Sequence, residues 1–128
     1  MNGLATFLRF GVVGVLGFVV DAGVLQALVS LAGWGPIAAR AVAVPVAVFA
    51  TWVLNRGITF REYDGPLLRS LARYAAVSAG GASVNFLVYT FLVLASSAMA
   101  DRPLVPLAIA SIVALIVNYL GSKHFAFR

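Results

Sequence analysis

"FGVVGVLGFVVDAGVLQALVSL", residues 10–31, is an apolar run with a carboxylate, Asp21, near its middle. Apart from that acid, only Gln26 and Ser30 interrupt it. Roughly 20 predominantly apolar residues cross the hydrocarbon core of a bilayer as an α-helix, and this run is long enough to do so.

The rest of the chain reads the same way. Of its 128 residues, 62% are hydrophobic and 10% charged, and the mean hydropathy is +1.03. A soluble fold of this size could not cover so much apolar surface. Uncharged stretches cover 10–39 once Asp21 is set aside, then 41–55, 74–100 and 103–122. They predict four transmembrane helices at about 10–32, 36–56, 74–98 and 103–122, in one all-α integral membrane domain covering 1–128. The second is the shortest, but Arg40 and Arg56 can snorkel from its ends. The first run mimics a signal peptide; its length, its acid and its direct passage into the next hairpin predict that it is retained.

With no cysteine and one histidine, the chain offers no disulfide, no thiolate nucleophile and no plausible metal site. It also lacks a serine, histidine and acid set, a phosphate-binding glycine loop and paired carboxylates at one depth. An enzyme is not expected, nor a cofactor. The net charge of +5 would suit nucleic acid, but its placement argues otherwise. Arg9, Arg56, Arg61, Arg69, Arg73, Lys123 and Arg128 flank one side of the spans, while only Arg40 and Arg102 flank the other. The positive-inside rule then puts both termini and the 56–73 loop in the cytoplasm, where the basic charge faces anionic headgroups or an anionic lipid ligand.

Set against itself at an offset of 64, "RFGVVGVLGFVVDA" (9–22) aligns with "RYAAVSAGGASVNF" (73–86), matching Arg9 with Arg73, Phe10 with Tyr74 and Asp21 with Asn85. An offset of 67 aligns "TWVLNRGITFR" (51–61) with "NYLGSKHFAFR" (118–128), so Trp52 meets Tyr119, Arg56 meets Lys123 and Phe60 meets Phe127. These matches predict two copies of one helical hairpin, about 4–61 and 68–128. Because both copies start and end in the cytoplasm, they form a parallel repeat about an axis along the membrane normal.

Asp21 lies 12 residues beyond Arg9, about 18 Å deep at 1.5 Å per residue. Ionised and unpaired there it would cost about 2.5–3.5 kcal/mol. It is therefore neutral, paired or facing a wet cavity, with Asn85, Gln26, Ser83 or Arg40 as candidate partners. At the close of the second span, Asn55 and Arg56 precede Thr59 and Phe60 by one turn. Arginine offers planar, bidentate donors to a phosphate, and the amide and hydroxyl add neutral hydrogen bonds. An interfacial anchor needs only charge, whereas here amide, guanidinium and aromatic stand in order.

The segment "DGPLLRSLARY" (64–74) predicts a short interfacial helix, with Asp64 as cap and Pro66 in its first turn. Leu67, Leu68 and Leu71 would face lipid, and Arg69 and Arg73 would stack on the polar side. Gly11, Gly14 and Gly17, with Gly80, Gly81 and Ser83, form small-residue faces suited to helix packing. Trp34, Trp52, Tyr74 and Tyr119 fall near span ends and read as belt aromatics.

The sequence resembles the GtrA-like family of small membrane proteins. The cues are "FLRFGVVGVLGFVVDAGVL" (7–25), "VLNRGITF" (53–60), "RYAAVSAGGASVNFLVY" (73–89) and "NYLGSKHFAF" (118–127). The resemblance implies four helices and a part in moving polyprenyl-phosphate-linked sugars across the cytoplasmic membrane for cell-surface polysaccharide modification. The last motif departs from the pattern, with Ser122 and Lys123 in place of Asn and Arg, which makes the second copy the weaker binding half.

On that reading Asn55, Arg56, Thr59, Lys123, Arg9, Arg73 and Arg69 would capture the lipid phosphate. The sugar would pass along a polar seam of Asp21, Asn85, Gln26 and Asn118. Two other functions fit the residues. A small proton-coupled multidrug-type exporter would use Asp21 as its acid, although no aromatics gather around it to hold a cation. A non-transporting scaffold would recruit a membrane glycosyltransferase through the 61–73 loop. Four short helices enclose little volume, so a homo-oligomer among membrane lipids is expected in any case.

Overall fold

No proline interrupts the first apolar run, and it forms one helix, α1 (Gly3–Ser30). The computed structural model describes residues 3–102 and 104–128. At the end of α1 the Ala27 carbonyl accepts from the Leu31 and Ala32 amides, and the Leu28 carbonyl from Trp34. Gly33, at φ 71°, makes the left-handed turn that lets the chain double back. Pro36, with its φ preset for a helix, then opens α2 (Pro36–Leu54). Pro45 lies inside α2, a break tolerated better in a membrane helix than in a soluble one.

α2 does not stop as an α-helix. It runs into one π-helical turn, Asn55–Thr59, closed by the Phe60 amide donating to the Asn55 carbonyl at 2.7 Å.

The second half repeats these elements. α3 (Leu67–Ala95) leads to a single short turn of helix, α4 (Ser97–Asp101), and then to α5 (Leu104–Gly121) and a second π turn, Ser122–Ala126. That turn is closed by the Phe127 amide on the Ser122 carbonyl at 2.9 Å. Pro103, where the fourth span was expected to begin, lies outside the described residues.

The chain divides into two units, Met1–Asp64 and Gly65–Arg128, each built on one pair of long antiparallel helices. In α1 the buried positions include Thr6, Phe10 and Gly17; in α3 they are Ser70, Tyr74 and Gly81. α2 buries Ala39, Ala43 and Trp52, whereas α5 buries Pro106, Ala110, Tyr119 and also Ala114. Asn55 and Thr59 in one π turn answer to Ser122 and Ala126 in the other. The spacings are the 64 and 67 at which the sequence matches itself.

Four helical segments are long and apolar enough to cross a membrane: Gly3–Ser30, Pro36–Thr59, Leu67–Ala95 and Leu104–Ala126. Their most apolar windows are only 11, 17, 6 and 22% buried inside the protein. Side chains such as Leu31, Ile37, Leu68 and Leu94 are almost fully exposed. So much outward apolar surface on helices of this length requires lipid as the solvent. The chain is an all-α, multi-pass integral membrane protein.

Two expectations need correction. The interfacial helix over 64–74 is not separate. α3 starts at Leu67 with Pro66, not Asp64, at its cap and continues unbroken to Ala95, because nothing between Leu71 and Ala75 opposes a helix. Of the four belt aromatics, only Trp34 is well exposed. Trp52, Tyr74 and Tyr119 are buried: Trp52 packs on Phe49 and Tyr74 on Phe127.

Candidate functional site

Each hairpin has a connecting end, where its two long helices are joined, and an open end, where the π turn lies. At the open end of the first unit, α1 packs against the π turn, and the Phe10 and Phe60 rings meet edge to face at 6.3 Å. The π turn makes this contact. Its i to i+5 bond admits one more residue than an α turn, which rotates Phe60 relative to the helix above. Inside it, Asn55 and Thr59 are fully buried, and the Thr59 hydroxyl donates to Asn55 Oδ1 at 2.7 Å. The amide and hydroxyl expected to meet a phosphate thus bond each other.

The guanidiniums remain. Arg9 and Arg56 are half-buried, and neither has a hydrogen-bond or ion-pair partner among the described residues; Arg56 Nε is wholly buried and unbonded. A buried donor with nothing to donate to is costly, by about 1–3 kcal/mol. Such a group is accounted for by strain, a bound water, an ion or a ligand.

The open end of the second unit is built from matching residues but uses its cations differently. Arg73 Nη1 donates to the Phe125 carbonyl at 3.2 Å, and the guanidinium lies 4.7 Å over the Phe125 ring. One turn earlier, Arg69 Nη2 reaches the Arg128 carbonyl at 3.5 Å. Both arginines therefore tie α3 to carbonyls at the end of the chain, where cations are favoured. Lys123 stands 5.9 Å from the Tyr119 ring. Ser122 Oγ is buried without a partner. Tyr74 packs on Phe127 at 5.8 Å, as Phe10 does on Phe60.

The residues expected to form a polar seam each have a place in their own unit. Asp21 receives Arg40 Nη1, at 3.1 Å to Oδ2 and 3.4 Å to Oδ1. Of its four candidate partners, the cation is the one it takes. Gln26 Nε2 donates to Ser30 Oγ at 2.6 Å. Ser83 donates to the Ala79 carbonyl. Asn85 Nδ2 reaches Ser111 Oγ at 3.4 Å. The Asn118 side-chain amide fills the space that a side chain at Gly81 would need, with its Oδ1 unbonded. Thr51 does the same at Gly17.

Ser111 is thus a polar partner that sequence reasoning missed, while Arg40 was named as a partner of Asp21 but not counted in the seam. Each is a polar residue in the otherwise apolar first half of the second long helix of its hairpin, and that was the available signal.

Among known proteins, no curated one matches the chain. A family model described as the GtrA/DPMS transmembrane domain matches residues 9–127, which takes in all four long helices and both π turns except for the first turns of α1. The chain belongs to the GtrA/DPMS transmembrane-domain family.

Proposed function

We propose that this protein moves a polyprenyl-phosphate-linked sugar across the cytoplasmic membrane, for the synthesis or modification of cell-surface polysaccharide. The observation that carries the proposal is the pair of half-buried, unpartnered guanidiniums, Arg9 and Arg56, at the open end of the first hairpin. Family membership supplies the setting, and the two cations supply the chemistry. A guanidinium grips phosphate oxygens in a planar fork, and the interface at the end of a membrane span is where a lipid's phosphate lies.

The step needs no covalent bond to form or break. Arg56, held by the π turn, and Arg9 receive the phosphate; Asn55 and Thr59 hold the turn's shape rather than the ligand. The polyprenyl tail stays among the exposed apolar side chains, so only phosphate and sugar need a polar route. Each unit carries its own polar residues for such a route, Asp21 and Gln26 in the first and Asn85 and Asn118 in the second. Arg69, Arg73 and Lys123, expected as further phosphate ligands, act mainly to fasten the second unit's open end. A homo-oligomer would give four short helices the enclosed volume that one chain lacks, and a membrane glycosyltransferase would be the natural user of the product. Asp21 suits an exporter poorly, because Arg40 already neutralises the acid that would have to bind the exported cation.

The test is transport in proteoliposomes carrying a fluorescent short-chain polyprenyl-phosphate sugar, with its appearance on the far face read by an impermeant quencher. Arg56→Ala lowers the initial rate at least tenfold, the loss of about 1.4 kcal/mol or more of headgroup recognition. Arg56→Lys falls between, since it keeps the charge without the fork. An unchanged rate in Arg56→Ala would remove the capture role.

A further inference from the structure

At the connecting end of the first hairpin, Arg40 gives one nitrogen, Nη1, to both Asp21 oxygens. Its Nη2 and Nε have no partner among the described residues. These two form the side edge of the guanidinium, which can grip two oxygens of one phosphate. The two residues also differ in access: the Asp21 side chain is 20% exposed and that of Arg40 59%. The acid is held within the hairpin while the cation's unused edge faces out.

Depth and surroundings indicate what it meets there. The Arg40 Cα is four residues past Pro36, about 6 Å into α2, and the ion pair draws its head further inward, to the depth of Asp21. Ile37 and Val44, at the helical spacings that share its face, are both exposed aliphatic residues. The guanidinium therefore lies in a lipid-facing apolar stripe, suited to an anion that carries a hydrocarbon tail. At the matching positions the second hairpin has Leu107 and Asn85, so it has neither the cation nor the acid.

We propose that Arg40 is a second phosphate-binding group, at the opposite end of the first hairpin from Arg9 and Arg56, which takes the phosphate of a lipid headgroup on its Nε and Nη2 edge. Asp21 keeps that hold weak by competing for the same cation, so the phosphate is bound and let go. The inference rests on the transport reading, because it gives the headgroup a station at each end of one hairpin. The two can nevertheless fail separately.

The experiment is arginine footprinting of the purified full chain in detergent. Phenylglyoxal modifies exposed guanidiniums, and mass spectrometry of the digest reads Arg9, Arg40 and Arg56 separately. The probes are farnesyl phosphate, farnesol and dioctanoyl phosphatidylglycerol. Farnesyl phosphate should slow the modification of Arg40 several-fold, and farnesol should not. In Asp21→Asn, with its fold checked by thermal melting, the half-protecting concentration at Arg40 should fall by roughly tenfold, as expected when an ordinary competing ion pair is removed.

Protection by farnesyl phosphate well beyond that by phosphatidylglycerol makes the ligand the isoprenoid carrier. Equal protection makes it lipid phosphate in general, with the site intact. If farnesyl phosphate shields Arg56 while Arg40 reacts at its free rate, or if farnesol protects Arg40 equally, the second site is overturned and the capture reading survives. Protection of Arg40 without Arg56 would overturn capture at the open end and keep this site.

Discussion

Arg9 and Arg73 occupy matching positions 64 residues apart, and their surroundings separate two uses of one residue type. Arg73 is committed: its Nη1 serves the Phe125 carbonyl and its plane covers the Phe125 ring. A hydrogen bond from a charged group and a cation–π contact together stabilise by about 2–3 kcal/mol when partly desolvated. Arg9 has no such partners among the described residues. Arg73→Gln should therefore lower the thermal stability of the protein in detergent and leave affinity for a farnesyl phosphate probe nearly unchanged. Arg9→Gln should do the reverse, with little loss of stability and weaker binding. Equal effects on both readouts in both variants would mean that the cations act as one undivided field. The sequence showed two arginines in matching positions and so assigned both to the ligand. It could not show that one lies under a carbonyl, because that carbonyl is placed by a turn 52 residues further on.

Between helices, close contacts are made at glycine notches, of which Gly17 and Gly81 are a matched pair and Gly121, met by Val77, is a third. In the first hairpin the notch at Gly17 is filled by the Thr51 methyl, and Thr51 cannot readily turn away, since its hydroxyl bonds the Ala47 and Val48 carbonyls at 2.9 and 3.0 Å. In the second, the notch at Gly81 is filled by the Asn118 amide, whose Oδ1 has no partner. Asn118 is longer and tethered less, so it can swing aside. Gly17→Ala should destabilise by about 1–3 kcal/mol, the usual range for overpacking a close contact, and Gly81→Ala by clearly less. Thr51→Ser, which removes the methyl and keeps the hydroxyl, should recover most of the Gly17→Ala loss. Melting temperatures of Gly17→Ala, Gly81→Ala and the double variant Gly17→Ala with Thr51→Ser decide the matter. The helices themselves were legible, because uncharged runs of this length admit little else; of the small residues read as packing positions, Gly17 and Gly81 are met by a neighbouring side chain, while Gly11, Gly14 and Gly80 stand open. The π turns were not legible: Asn-Arg-Gly-Ile-Thr reads equally well as a last α turn, and the i to i+5 bond is a backbone choice made when Phe60 finds Phe10. The fusion of the 64–74 segment into α3 was hidden for a related reason. A polar helical face signals an interface but not whether the helix stops there.

At the scale of the whole molecule, charge predicts the orientation. The open ends hold Arg9, Arg56 and Arg61 in the first unit and Arg69, Arg73, Lys123 and Arg128 in the second, while the connecting ends hold Arg40 and Arg102. That asymmetry of seven cations to two is what the positive-inside rule reads, and it predicts that both open ends face the cytoplasm. Under the proposed function, the predicted orientation would make Arg9 and Arg56 a cytoplasmic capture pair and Arg40 the station farther from the cytoplasm. The chain contains no cysteine, so single cysteines report their side without background. Leu31→Cys, at the connecting end and almost fully exposed, should react with an impermeant maleimide added to spheroplasts. Asp64→Cys, between the units, should react only after the membrane is opened. The opposite pattern would put Arg56 outside and Arg40 inside, exchanging the two stations and turning the proposed path around.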